Sequence, residues 1–158
     1  MSFTEQTANF ALWAVLSSPL ILSHDIASSS PRCLALLTNP EIIAVNQAWG
    51  GSASFAVGRA GGFANGFAKC LRPAAEPASS TTTTTCAVVA VVFVNRGTSN
   101  STITATWAEL HLPAGAHGKS VRDVLAQKDR AAPAGAAAAY TTAVLAPNEV
   151  EFVRISLI

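Results

Sequence analysis

Residues 11–26 constrain this chain more than any other stretch. Ala11, Leu12, Trp13, Ala14, Val15 and Leu16 run toward Pro19; the apolar run Leu20-Ile21-Leu22 follows, and then the polar Ser23-His24-Asp25 before Ile26. A short, wholly apolar run predicts a strand covered on both faces, as parallel strands are. Polar residues at the C-terminal end of such a strand are where a β/α barrel carries its chemistry. A barrel of that kind takes about 250 residues, and this chain has 158. The sequence therefore predicts the closing helix–strand–helix piece of a barrel, without the units that come before it.

Ser2, with Glu5 three residues on, predicts a capping box and a helix starting near Phe3. Phe10, Trp13 and Ser17 lie along one side, Ala8, Leu12, Val15 and Leu16 widen the apolar stripe, and Pro19 is the expected terminator. Ser30-Pro31 and Asn39-Pro40 predict two further helix starts, the second short and running through Val45. Beyond Trp49-Gly50-Gly51 the helical period gives way to short β-type runs at 54–57, 66–71, 87–95, 101–107, 119–123, 138–145 and 150–157. The run 87–94 is nearly all apolar, as a central strand requires. Ile103, Ala105 and Trp107 alternate with Thr102, Thr104 and Thr106, as in a half-buried strand. The expected fold is mainly β: an antiparallel β-sandwich of Greek-key type over residues 49–158, preceded by a barrel fragment over 1–48. Residues 73–85 end in five threonines and predict a mobile, low-complexity loop.

Composition removes several function classes. Only 12% of residues are charged, the net charge is +1, and no basic run exists, which argues against an electrostatic nucleic-acid binder. No apolar run approaches the roughly 20 residues that span a bilayer, so no membrane partner is expected. Glu5 and Gln6 stand where a signal peptide would be basic. Cys33, Cys70 and Cys86 form no CxxC and have no histidine at zinc spacing, so no metal site is expected. Cys70 and Cys86 flank the polar loop and would suit neighbouring strands; buried free thiols and a disulfide both remain open.

Four blocks carry a resemblance. Phe10, Leu12-Trp13-Ala14, Pro19-Leu20-Ile21 and Asp25 form the first; Asn39-Pro40-Glu41-Ile42-Ile43-Ala44-Val45-Asn46-Gln47 the second; Val94-Asn95-Arg96-Gly97 the third; Val121-Arg122-Asp123-Val124-Leu125 with Lys128-Asp129 the fourth. In this order the chain resembles the end of the family 27 glycoside hydrolases, the α-galactosidases or melibiases. The resemblance implies hydrolysis of terminal α-galactosyl residues with retention, an α-galactoside as substrate of a full-length parent, no metal or organic cofactor, and a secreted, lysosomal or vacuolar setting. It also implies an aspartate nucleophile and an aspartate acid/base on earlier barrel strands. Their Lys-Tyr-Asp and Trp-Asn-Asp-Pro-Asp contexts occur nowhere in this sequence, so no catalytic residue is assigned. The chain departs from the family pattern at Ala48-Trp49, where Asp-Pro is usual, at His24, where Asn or Cys is common, and in the threonine loop, which looks like an insertion.

His24 and Asp25 are the sharpest candidates for a site, since a histidine beside a carboxylate can act as a general base. The plainer expectation is that Asp25 caps the next turn and His24 lines a rim, because adjacent strand residues point to opposite faces. Glu149 and Glu151 are expected to share a solvated strand face, opposite Val150 and Phe152. Asp123 and Asp129 read as exposed charges beside Arg122 and Lys128, and His111 and His117 as turn residues without partners. Gly58-Arg59-Ala60-Gly61-Gly62 lacks the Lys-Ser/Thr and following helix of a phosphate loop and reads as a hairpin or linker. Trp49 and Trp107 could stack on sugar rings, although the alternation around Trp107 places it in the core. Asn100-Ser101-Thr102 is a glycosylation sequon in an expected turn. The leading expectation is the C-terminal part of an α-galactosidase, inactive alone. The alternatives are a free-standing β-sandwich that binds carbohydrate or protein, and a product with no independent role. Without barrel neighbours, Leu20-Ile21-Leu22 would present unpaired edges, and residues 1–48 are expected to dock poorly.

Overall fold

The computed structural model describes residues 1–50, 53–60, 63–74, 85–113, 119–131 and 139–157. Most of the threonine-rich loop, together with His117 and Gly61-Gly62, lies outside the described residues.

Three α-helices precede the strands: α1 (Phe3–Val15), α2 (Pro31–Leu37) and α3 (Pro40–Gln47), with a short 3-10 turn at Ile26–Ser28. Each starts where its local chemistry dictates. The Glu5 amide donates to Ser2 Oγ at 3.3 Å and the Ser2 amide donates to Glu5 Oε2 at 2.7 Å, which completes the capping box. Ser30 Oγ accepts from the Cys33 amide, and Asn39 Oδ1 accepts from the amides of Glu41 and Ile42, each cap preceding a proline at the first helical position. The end of α1 differs from expectation. Ser17 takes a left-handed conformation, φ 56°. Its amide donates to Ala14 O at 3.2 Å, and the Ser18 amide donates to Trp13 O at 2.9 Å. This paired Schellman closure stops the helix before Pro19 can.

Leu20-Ile21-Leu22 forms no strand. Ile21 is 74% exposed and Leu22 40%. A parallel strand exists only through hydrogen bonds to its neighbours, and no described residue pairs with this run, so the tripeptide stays irregular.

The remaining chain is antiparallel β structure. Its strands are β1 (Phe55–Ala60), β2 (Phe63–Pro73), β3 (Cys86–Val94), β4 (Thr104–Thr106), β5 (Lys119–Asp123), β6 (Lys128–Arg130), β7 (Ala139–Thr141) and β8 (Val150–Leu157). Six of them form one sheet in the order β1-β2-β3-β8-β5-β6, and β4 pairs with β7 in a separate two-stranded sheet. The expected runs at 101–107 and 138–145 shrink to the short β4 and β7, with one further bridge between Ser101 and Leu145. Ala60 stands opposite Phe63, as the hairpin reading of the glycine-rich segment requires.

The nearly all-apolar β3 is explained by burial on both faces. Val89, Val91 and Phe93 meet Ile103, Ala105 and Tyr140 in the core between the two sheets. Ala90, Val92 and Val94 meet Phe10, Ala14 and Ile42 in a second core beneath the helices. The molecule therefore stacks helices, a six-stranded sheet and a β4–β7 ribbon. Residues 1–48 do not dock poorly as expected. Helices carry their own backbone hydrogen bonds and need only an apolar surface, which Val92 and the fully buried Phe152 provide. Burying a phenylalanine side chain of this kind contributes about 2–3 kcal/mol.

Candidate functional site

Three places among the described residues concentrate polar chemistry: the groove beside His24, the junction where helices meet sheet, and a buried cluster around Arg130.

The groove has a volume of about 540 Å³ and lies between α1, the 21–24 segment and α2. Phe10, Trp13, Ile21 and Leu36 supply apolar walls, and His24, Ser28 and Ser29 a polar rim. His24 Nε2 lies 2.8 Å from Ser29 Oγ. Asp25 turns away to local work: its Oδ1 accepts from the Ala27 amide at 3.0 Å and caps the 3-10 turn. Both residues are exposed. Among the described residues no Asp or Glu lines the groove, so none of them orients the imidazole there as a general base. Cys33, half-buried and unbridged, lines the same groove.

At the junction, the Asn39–Gln47 segment is tied down by its polar side chains. Asn39 Nδ2 donates to Val124 O at 3.0 Å, joining the start of α3 to the turn after β5. Glu41 receives Arg122 through Nη2 at 2.6 Å and Nε at 3.1 Å. That hydrogen bond raises the Arg122 pKa further above its ordinary value. Asn46 Nδ2 donates to Ser18 O at 2.8 Å, holding α3 against the end of α1. Lys69 closes the other end. Fully buried on β2, its Nζ donates to the carbonyls of Val45 at 2.7 Å and Asn46 at 3.0 Å, at the C-terminus of α3. A cation there complements the helix dipole and its unpaired carbonyls. Burial pushes the ammonium pKa down.

The expected solvated glutamate pair is not found. Glu149 is exposed and accepts from the Ala146 amide in a turn. Glu151 is buried, 3% exposed. Its Oε2 lies 2.8 Å from Arg130 Nη1, and its Oε1 accepts from the Tyr140 hydroxyl at 2.7 Å. Asp123 is buried as well and holds the same guanidinium at 2.6 Å, whereas Asp129 is exposed as expected. Alternation separates wet from dry only where one sheet face is solvated; β8 is buried on both faces from Val150 to Val153, and Asp123 shares the buried, inter-sheet face of β5 with Val121. Burial, followed by the bond to Glu151, lifts the Tyr140 pKa above its ordinary value.

Other candidates fall to structural roles. His111 stacks on Phe55 with ring centroids 4.1 Å apart, so it does have a partner. Trp107 packs half-buried against the inter-sheet core, as its alternation predicted, and Trp49 is 70% exposed. Cys70 and Cys86 form a disulfide between β2 and β3. Lys69 went unnoticed in the sequence; its one signal is a lysine within the otherwise apolar stretch 66–71.

Residues 1–48 match the family described as Alpha galactosidase A, and residues 81–155 match the Alpha galactosidase C-terminal beta sandwich domain. An α-galactosidase of Coffea arabica is 36% identical over 113 residues, covering 72% of this chain and 26% of the relative. The crystal structure of α-galactosidase I from Mortierella vinacea superimposes with a TM-score of 0.73 at 25% identity, over 98% of this chain and 36% of that one. A family 27 β-L-arabinopyranosidase of Geobacillus stearothermophilus shares the fold, with a TM-score of 0.67 at 20% identity over 99% of this chain and 31% of that one. The chain thus spans about a quarter of the length of the curated relative from Coffea arabica. It belongs to the α-galactosidase family of glycoside hydrolases, family 27, and corresponds to the C-terminal part of its members.

Proposed function

We propose that residues 1–48 are the closing piece of a catalytic barrel and residues 49–158 the C-terminal sandwich domain of an enzyme that removes terminal α-galactosyl groups with retention. By themselves, these residues hydrolyse no glycoside. The observation that carries this reading is the state of the carboxylates. Of the nine acids, all but Glu76 lie in described residues. Glu5, Asp25, Glu109 and Glu149 hold backbone amides in caps and turns. Glu41 and Asp129 hold Arg122, and Asp123 and Glu151 hold Arg130. Retaining hydrolysis needs two carboxyls about 5–5.5 Å apart across an open cleft, one of them kept protonated by its surroundings. Asp123 and Glu151 come together only by sharing the Arg130 guanidinium, and both are buried rather than set across an open cleft.

On this reading the chain's contribution to the enzyme is structural. The Asn39, Glu41 and Lys69 contacts fix the barrel's last helices against the sandwich, and the groove beside His24 faces whatever the earlier barrel units supply. The α-galactoside is a substrate of the assembled enzyme only. The test is turnover of an aryl α-galactoside by the purified chain: none above the buffer rate is expected. Robust turnover abolished by His24→Ala or Asp25→Asn would overturn the proposal. Trp107 is spoken for by the core, so no particular observation favours a free-standing sugar-binding module.

A further inference from the structure

The loop from β3 to β4 presents its one sequon in a form that invites a modification unrelated to the glycosidase reading. Asn100-Ser101-Thr102 is the single Asn-X-Ser/Thr triplet of the chain, and its middle residue is not proline. The loop is pinned around it. Asn95, buried, accepts from the Gly97 amide at 2.9 Å and donates through Nδ2 to the carbonyls of Ser99 and Leu145, both at 2.8 Å. Ser101 exchanges backbone hydrogen bonds with Leu145 at 3.0 and 2.8 Å. Between these fixed points the Asn100 side chain projects into solvent, and the Thr102 side chain is exposed two residues on. Neither has a hydrogen-bond partner among the described residues. A bulky polar oligosaccharide on Asn100 therefore disturbs no contact of the fold.

A second observation points to the compartment in which such a transfer takes place. Cys70 and Cys86, both buried, are joined as a disulfide, a bond that forms and persists in oxidising compartments such as the endoplasmic reticulum lumen. We propose that Asn100 is an acceptor of N-linked oligosaccharide. Asn100 Nδ2 attacks C1 of a glycan carried on a lipid diphosphate. The N–C1 bond forms, the C1–O bond to the diphosphate breaks, the amide gives up one proton, and the lipid diphosphate leaves.

The test is translation of the full chain behind a cleavable leader in the presence of microsomal vesicles, with mass analysis of the protease-protected fraction. Transfer precedes folding, so the readout does not depend on how well a variant folds. One glycan, removable by an N-glycan amidase, is expected on the wild-type chain. It should be lost completely in Asn100→Gln and Thr102→Ala and kept in Thr102→Ser. A protected wild-type chain of unmodified mass, or a glycan that persists in Asn100→Gln, would overturn the assignment.

Discussion

Two neighbouring parts of the first 48 residues have opposite fates. Helix α1 and helix α3 bury Ala11, Ala14, Val15 and Ile42 completely against the sheet. Ile21 and Leu22, a few residues past α1, stay 74% and 40% exposed. Their apolar content is similar; what differs is the source of their backbone hydrogen bonds. A helix satisfies its own amides and brings a finished apolar face to any surface that accepts it. A strand obtains its hydrogen bonds from its neighbours, and without them an apolar tripeptide has no reason to order. Within these 48 residues, burial follows the supply of backbone hydrogen bonds more closely than it follows hydrophobicity.

The largest effect should come from the surface the helices rest on. Phe152→Ala removes a fully buried ring between β8 and the helix layer, at a cost of about 3–5 kcal/mol. Urea denaturation should show that loss. A change below 1 kcal/mol on the same assay would mean that the helices do not rest on the sheet, a threshold set by the roughly ±0.5 kcal/mol of ordinary surface substitutions. Next comes the sheet's other core. The Cys70–Cys86 bridge spans a sequence separation of 16, and replacing both cysteines by alanine should cost about 3 kcal/mol, without change to the helical circular dichroism.

Lys69 gives a pH signature of the junction. Its folded pKa lies below the ordinary 10.5, so between the two values the unfolded chain binds more protons, and stability rises with pH toward 10.5. Lys69→Met should flatten that rise, seen as a denaturation midpoint followed against pH. Tyr140 works the other way. Its raised pKa keeps its contribution intact below 10.0, and stability is lost as pH climbs toward the folded value; Tyr140→Phe removes that decline. The smallest effect belongs to the exposed segment. Ile21→Ser should change stability by no more than about 0.5 kcal/mol, and a larger loss in thermal unfolding would show that Ile21 is packed in solution.

Much of this was legible in the sequence where the determinants are local. Ser2, Ser30 and Asn39 announce their helices because a cap is a contact within four residues. The run 87–94 announces a central strand because burial on both faces leaves no polar position. The family resemblance was legible as well, since its four blocks keep their order. What could not be read depends on distant partners. Glu151 looked solvated because alternation says nothing about how many layers a sheet lies between. The Lys69 ammonium takes its role from carbonyls 23 and 24 residues away, and His111 from a ring on β1. Leu20-Ile21-Leu22 reads as a strand by composition, yet strand formation belongs to a pair of segments. Asp25 was read correctly as a cap, and the groove beside His24 went unseen because three separate segments build it.

Native-state hydrogen exchange on the purified chain tests the central contrast most directly. The account predicts slow exchange for the amides of Ala11–Val15 together with those of Val89–Val94, and exchange near the open-chain rate for Leu20, Ile21 and Leu22. Protection of Leu20–Leu22 equal to that of β3, or free exchange throughout α1, would contradict it.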